Sequence, residues 1–143
     1  MTPIRVSIMG ASGYGGAELI RRLLPDPGIE VLRLSSKDDV GKKANEVHRS
    51  LGSLGGDLVI EDLEPEDAAR GADVVFLALP HRISMHVTKA LWPTGVRIVD
   101  LSGDFRLKDV ATYEKYYKTT HIAPELIAEF VYGMPELSRE GFF

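Results

Sequence analysis

The stretch Met9-Gly10-Ala11-Ser12-Gly13-Tyr14-Gly15-Gly16 constrains this chain more than any other. Before it runs Ile4-Arg5-Val6-Ser7-Ile8, rich in β-branched residues. After it comes Ala17-Glu18-Leu19-Ile20-Arg21-Arg22-Leu23-Leu24, which reads as a helix. Strand, glycine turn and helix in that order are the context a dinucleotide-binding loop requires. The glycines at 10, 13 and 16 each have a task. Gly10 turns the chain sharply off the strand, Gly13 leaves the backbone open to a pyrophosphate, and Gly16 lets the helix pack closely. Free N–H groups at the helix start, at the positive end of its dipole, suit an anion. A glycine turn with no ligand is the plainer alternative, and it is the flanking elements that favour a nucleotide site.

The rest of the composition narrows the class. At 143 residues the chain is long enough for one domain with a real core. A formal net charge of −4 implies no general affinity for nucleic acid or acidic membranes. There is no cysteine, hence no disulfide and no thiolate chemistry from these residues. No apolar run approaches a membrane span, and a chain that enters a strand so early leaves no space for a signal peptide. The expectation is a cytoplasmic protein with neither nucleic acid nor membrane as partner. No metal-binding cluster is expected.

Strand and helix signals alternate along the chain. Residues 4–9 read as a buried strand, Glu30–Leu34 as a second, and Leu58–Ile60 as a short one. Pro25-Asp26-Pro27-Gly28 ends the first helix. Loops around a short helix at 43–50 follow, with His48 expected at the surface. Pro65–Arg70 reads as a short helix with proline and acids in its first turn. Asp73–Leu79 is the clearest buried strand, and Ile83–Leu91 a crossover helix carrying His86 without chemical role. Gly95–Asp100 is a further strand. Tyr113, Tyr116 and Tyr117 mark a short amphipathic helix, in which tyrosines serve packing. Pro124–Glu129 starts another helix, and Phe130–Leu137 reads as a strand leading into a turn. The pattern predicts an α/β fold: a Rossmann-type, doubly wound, mostly parallel sheet with helices on both faces.

Ligands of such sheets sit at the carboxyl ends of the strands. The second strand ends in Ser35-Ser36-Lys37, where an NAD site would present a carboxylate to the ribose. Hydroxyls and an ammonium suit a 2′-phosphate instead, so the cofactor expected is NADP. An ordinary polar loop is the alternative, and Asp38 and Asp39 stand beside it. Pro80-His81-Arg82 follows the clearest strand. His81 suits either a contact to nicotinamide or phosphate or a solvent-facing helix cap. Arg106, in Leu101-Ser102-Gly103-Asp104-Phe105-Arg106-Leu107, suits bidentate capture of a carboxylate or phosphate, or an ion pair with Asp104 or Asp109.

These residues resemble the N-terminal half of the N-acetyl-γ-glutamyl-phosphate reductase family. The resemblance rests on residues 10–19, Leu34-Ser35-Ser36, Leu77-Ala78-Leu79-Pro80-His81 and residues 100–107. It rests further on Tyr113-Glu114-Lys115-Tyr116-Tyr117 with His121, and on Val131–Leu137. The family usually has glycine where Arg82 stands and alanine where Gly103 stands. Arg82 puts a charge beside the supposed nicotinamide loop. The resemblance implies an NADP-dependent reductase that converts an acyl phosphate to a semialdehyde. A cysteine thiolate attacks the acyl phosphate, hydride reduces the thioester, and a histidine acts as acid and base. Both catalytic groups are expected beyond Phe143, so none is assigned here and the chain alone is expected to be inactive. Residues 1–143 would be the NADP-binding domain, with 110–143 leading toward a catalytic and dimerisation domain. The ending at Phe142-Phe143 looks like an interruption.

By resemblance, Gly10, Ser12, Gly13, Tyr14, Gly15 and Gly16 hold the pyrophosphate, and Ser35, Ser36 and Lys37 the 2′-phosphate. Leu79, Pro80, His81 and Ser102 complete the cofactor site, and Arg106 takes the anion of a small acyl-phosphate substrate. The full-length family assembles as homo-oligomers. A reductase of carrier-bound aminoadipate phosphate, aspartate-semialdehyde dehydrogenase and a non-catalytic NADP-binding module are the alternatives.

Overall fold

The computed structural model describes residues 2–134 and Glu136. Five strands form one sheet, all pairs parallel: β1 (Ile4–Met9), β2 (Ile29–Ser35), β3 (Ile60–Glu61), β4 (Val74–Leu77) and β5 (Arg97–Asp100). Their order is β3-β2-β1-β4-β5. The chain winds outward from β1 in one direction, then returns to β1's other side to place β4. That reversal creates a crevice at the carboxyl ends of β1 and β4.

Both faces of the sheet are covered, as a parallel sheet requires. The helices are α1 (Tyr14–Leu23), α2 (Ala44–Val47), α3 (Pro65–Ala69), α4 (Ile83–Leu91) and α5 (Val110–Tyr117). Strand alternation distributes the core between the two faces. Ile8 and Leu34 pack with Ile20 of α1, while Met9, Val75 and Leu77 pack with Ala68, Ala69 and Leu91 of α3 and α4. A third cluster of Met85, Phe105, Ala123, Leu126 and Ile127 fastens the segment after β5 to α4. The expected α/β, doubly wound fold is thus observed.

Four details differ from expectation. The first helix begins at Tyr14, so Gly15 and Gly16 lie in its first turn, where N–H groups have no intrahelical acceptor to lose. Pro124–Glu129 is a 3-10 helix. Residues 130–134 are not a strand: in place of a ladder, Phe130 stacks on Phe105 at 4.3 Å and Arg106 lies over the Tyr132 ring at 5.3 Å. The Lys108 ammonium also donates to the Phe130 carbonyl. The expected turn at Pro135–Leu137 and the ending at Phe142-Phe143 lie outside the described residues, apart from Glu136. Lastly, His48 is half-buried, and its role is structural. Among the described residues no helix is long and apolar enough to cross a membrane.

Candidate functional site

The glycine turn is held by main-chain bonds. The Gly10 and Ala11 N–H groups donate to the Ser35 carbonyl at 2.8 and 3.0 Å, and Gly13 N–H donates to the Gly10 carbonyl. Gly10 has φ +87, and a Cβ there would lie 2.2 Å from the Ala78 carbonyl oxygen. Only glycine meets both demands. A Cβ at Gly16 would lie 2.4 Å from the Gly10 oxygen, which is the close helix approach read from the sequence. Gly13 differs: a Cβ there would meet only the Gly10 oxygen, at an ordinary 3.6 Å, so folding places no demand on it. The space beside it is left to a ligand.

The start of α1 carries no side-chain cap and no acid in its first turn. Its one carboxylate, Glu18, is paired with Arg21 and Arg22, which hold it down at about 2. The first-turn N–H groups therefore present an uncompensated positive end. Tyr14 beside them is 97% exposed, its ring projecting away from the core. These features fit the pyrophosphate of a dinucleotide.

The turn carbonyl is braced from below by His48, whose Nε2–H donates to Ala11 O at 2.7 Å. The segment carrying His48 folds back through Gly41, Gly52 and Gly55, all at positive φ, and Ala44 N–H bonds Leu58 O. The expectation of a surface histidine overlooked this return, which the glycine spacing alone could have signalled.

At the end of β2 the three candidate residues part company. Ser36 Oγ shares a 2.6 Å hydrogen bond with Ser12 Oγ, tying the post-β2 loop to the glycine turn. Ser35 is 4% exposed, and its hydroxyl accepts from Leu63 N–H at 3.3 Å, so it faces the fold. Lys37 is exposed and bound to Asp62 at 2.6 Å, and that carboxylate raises the ammonium above its ordinary value. Ser36 and Lys37 thus stand at the crevice beyond the carboxyl end of β2, while the Ser35 side chain turns into the fold.

On the other side of the switch point, Leu79 and Gly15 bring the two loops together. A Cβ at Gly10 would lie 3.2 Å from Leu79 Cδ2, and one at Gly15 would touch Ala78 at 3.4 Å and Leu101 at 3.9 Å. Pro80 and His81 follow on the surface. This side is organised by Asp104, which is fully buried. Its carboxylate accepts from Arg82 N–H, from Met85 N–H at 2.9 Å and from Tyr113 Oη–H at 2.8 Å. His121 Nε2–H donates to its carbonyl. Burial first, then the bond to Asp104, pushes the Tyr113 phenol above its ordinary value, so it stays protonated and donates to that carboxylate. Ser102, 6% exposed, donates to Asp100 Oδ2 and accepts from Asp104 N–H; its hydroxyl also faces the fold. Asp104 is thereby unavailable to Arg106, and Asp109 caps α5 through Thr112. Among the described residues Arg106 pairs with no carboxylate. It donates to the Ser102 and Leu101 carbonyls at 3.3 and 3.4 Å and borders a groove of about 930 Å³ along the outer edge of β5.

The match to known families decides what this crevice belongs to. Residues 5–142 match the family model of the semialdehyde dehydrogenase NAD-binding domain. The chain belongs to this family. Among the relatives of this semialdehyde dehydrogenase domain is the N-acetyl-gamma-glutamyl-phosphate reductase of Magnetococcus marinus. It is 44% identical over 137 residues, 96% of this chain and 39% of the relative. The reductase of the same name from Symbiobacterium thermophilum is 45% identical over the same shares. The chain therefore spans about two-fifths of the length of the curated relatives it matches. Aspartate semialdehyde dehydrogenase with NADP from Candida albicans superposes with TM-score 0.66 at 23% identity, covering 76% of this chain and 32% of that one. A Rex-family repressor does so with TM-score 0.54 at 18% identity, over 71% of this chain and 46% of its own. These two likenesses concern the fold.

Three members of the site escaped the sequence reading: His48, Asp104 and Tyr117. His48 on the Ala11 carbonyl, Asp104 on the Arg82 N–H and Tyr117 against the His81 ring each act across 22 or more positions in sequence.

Proposed function

We propose that this semialdehyde dehydrogenase domain binds NADP and forms the cofactor half of a reductase that converts N-acetyl-γ-glutamyl phosphate to the semialdehyde and phosphate. The observation that carries the proposal is the uncapped, acid-free start of α1 joined through Ser12 and Ser36 to a lysine at the end of β2. Relatives named for that reductase, 41–45% identical over 95–96% of the chain, support the substrate.

When bound, the dinucleotide supplies hydride. The Tyr14, Gly15 and Gly16 N–H groups orient its pyrophosphate, with Ser12 beside them. Ser36 donates to the 2′-phosphate, and Lys37 exchanges Asp62 for it, a charge-assisted contact stronger than a neutral one. Leu79 and Pro80 shield the nicotinamide end from water. Arg106, held by carbonyls and a tyrosine face and by no described carboxylate, receives a substrate anion. No thiol is among the 143 residues, so the attacking cysteine of the proposed reaction comes from outside them. The setting proposed is the cytoplasm.

Titration calorimetry tests the cofactor. NADP is expected to bind at least tenfold tighter than NAD, with no phosphate released from the acyl phosphate by the 143-residue chain. Equal affinity for the two would overturn the 2′-phosphate assignment, and turnover by the chain alone would overturn the division of labour.

A further inference from the structure

Tyr117 ends α5 far from the glycine turn in sequence, yet its ring lies against His81, edge-on at 5.1 Å. Two features of the backbone put it there. A Cβ at residue 103 would lie 2.0 Å from Tyr117 Oη and 2.7 Å from its Cζ, so the ring occupies space that only a glycine leaves. Arg82 stands at φ +73, a left-handed conformation that side chains rarely adopt. In that conformation its N–H meets the Asp104 carboxylate and its guanidinium donates to the Tyr117 carbonyl at 2.9 Å. From behind, Tyr113 stacks on Tyr117 at 4.6 Å and is itself anchored to Asp104. The ring of Tyr117 is thus clamped from both sides.

The consequence falls on His81. Gly103 N–H donates to His81 Nδ1 at 2.8 Å. A main-chain amide can only donate, so Nδ1 keeps its lone pair and the neutral ring carries its proton on Nε2. No described residue accepts from that Nε2, and His81 is exposed at the carboxyl end of β4, where the crevice opens. We propose that Tyr117, admitted by Gly103 and fastened by Arg82, is a positioning residue that presets His81 as an Nε2–H donor toward an anionic or carbonyl oxygen of the bound dinucleotide. The recipient rests on the cofactor reading above; the preset ring does not.

The test joins nitrogen NMR of the His81 ring with NADP titration on the 143-residue chain. The wild-type ring should show an unprotonated Nδ1 and a protonated Nε2. Tyr117→Ala should mix the two signatures and weaken NADP about tenfold. Tyr117→Phe keeps the ring and should retain the wild-type signature and affinity within about twofold. Gly103→Ala, which displaces the ring, should behave as Tyr117→Ala does. A wild-type ring with mixed tautomers would overturn the proposal, as would a Tyr117→Ala chain with unchanged signature and affinity. Should Tyr117→Ala fail to fold, Gly103→Ala decides it: an unchanged signature and affinity with the ring displaced would overturn the proposal. If the wild-type chain bound no NADP, the cofactor reading would fall, while the tautomer signature would still judge the clamp.

Discussion

The two sides of the crevice are built from different materials. The β1–β2 side is built first from main chain: carbonyls and N–H groups of Gly10, Ala11, Gly13 and Ser35 hold one another, and the Ser12–Ser36 pair and His48 brace that turn from its edges. The β4–β5 side is side chain, with one buried carboxylate, Asp104, gathering two amides and a phenol while a histidine binds its carbonyl. A main-chain cradle can lie close against a pyrophosphate because no Cβ intervenes. It tolerates no change at positions where the backbone folds on itself. A carboxylate hub instead positions loops of arbitrary sequence, and concentrates their stability in one residue.

The sharpest way to break this comparison is to remove the hub. Asp104→Ala leaves buried donors without an acceptor and should cost about 3–5 kcal/mol in urea unfolding. A loss below about 1 kcal/mol would mean the loops hold themselves. On the other side, Gly10→Ala meets both a left-handed φ and a carbonyl at 2.2 Å, and should cost about 3 kcal/mol. Gly13→Ala separates folding from binding. Its Cβ clashes with nothing, so stability should move by less than about 0.5 kcal/mol. NADP affinity should nonetheless fall about tenfold, or about 1.4 kcal/mol. Calorimetry beside a thermal melt decides between them.

Smaller effects sharpen the picture at the ribose end. Lys37→Ala should weaken NADP about fivefold and leave NAD untouched, since exposed charge pairs contribute modestly. Asp62→Asn should strengthen NADP about twofold by releasing that lysine. The smallest effect expected is the α5 cap. Thr112 hydroxyl and N–H bonds hold the Asp109 carboxyl below the usual carboxylate range. A depressed value stabilises the fold above the unfolded-state pKa, about 4, and the contribution is lost as pH falls through the folded value. Thermal midpoints of the wild type should therefore decline more steeply below about pH 4 than those of Asp109→Ala.

Much of the fold was legible because its signals are local. β-branched runs, proline breakers and glycine spacing placed all five strands, most within two residues of their bounds, and the helices on both faces. The misreadings share a cause. Phe130–Met134 has the composition of a strand, but its side chains stack on Phe105 and cover Arg106, and no described neighbour offers it a ladder. Ser35 ends β2 and Ser102 follows β5, yet bonds to the Leu63 N–H and to the Asp100 carboxylate turn both hydroxyls into the fold. His48 looked like surface because nothing nearby in sequence needs it.

The sequence by itself determined the fold class and the glycine turn between β1 and α1. Both depend on what each backbone position permits, and a glycine or proline declares that wherever it stands. Tertiary structure alone decided which polar side chains face the crevice, that Arg106 rests on carbonyls and the Tyr132 ring, and that Tyr117 sits over Gly103. Those outcomes depend on packing between segments tens of residues apart, where burial of one group selects the partner of the next.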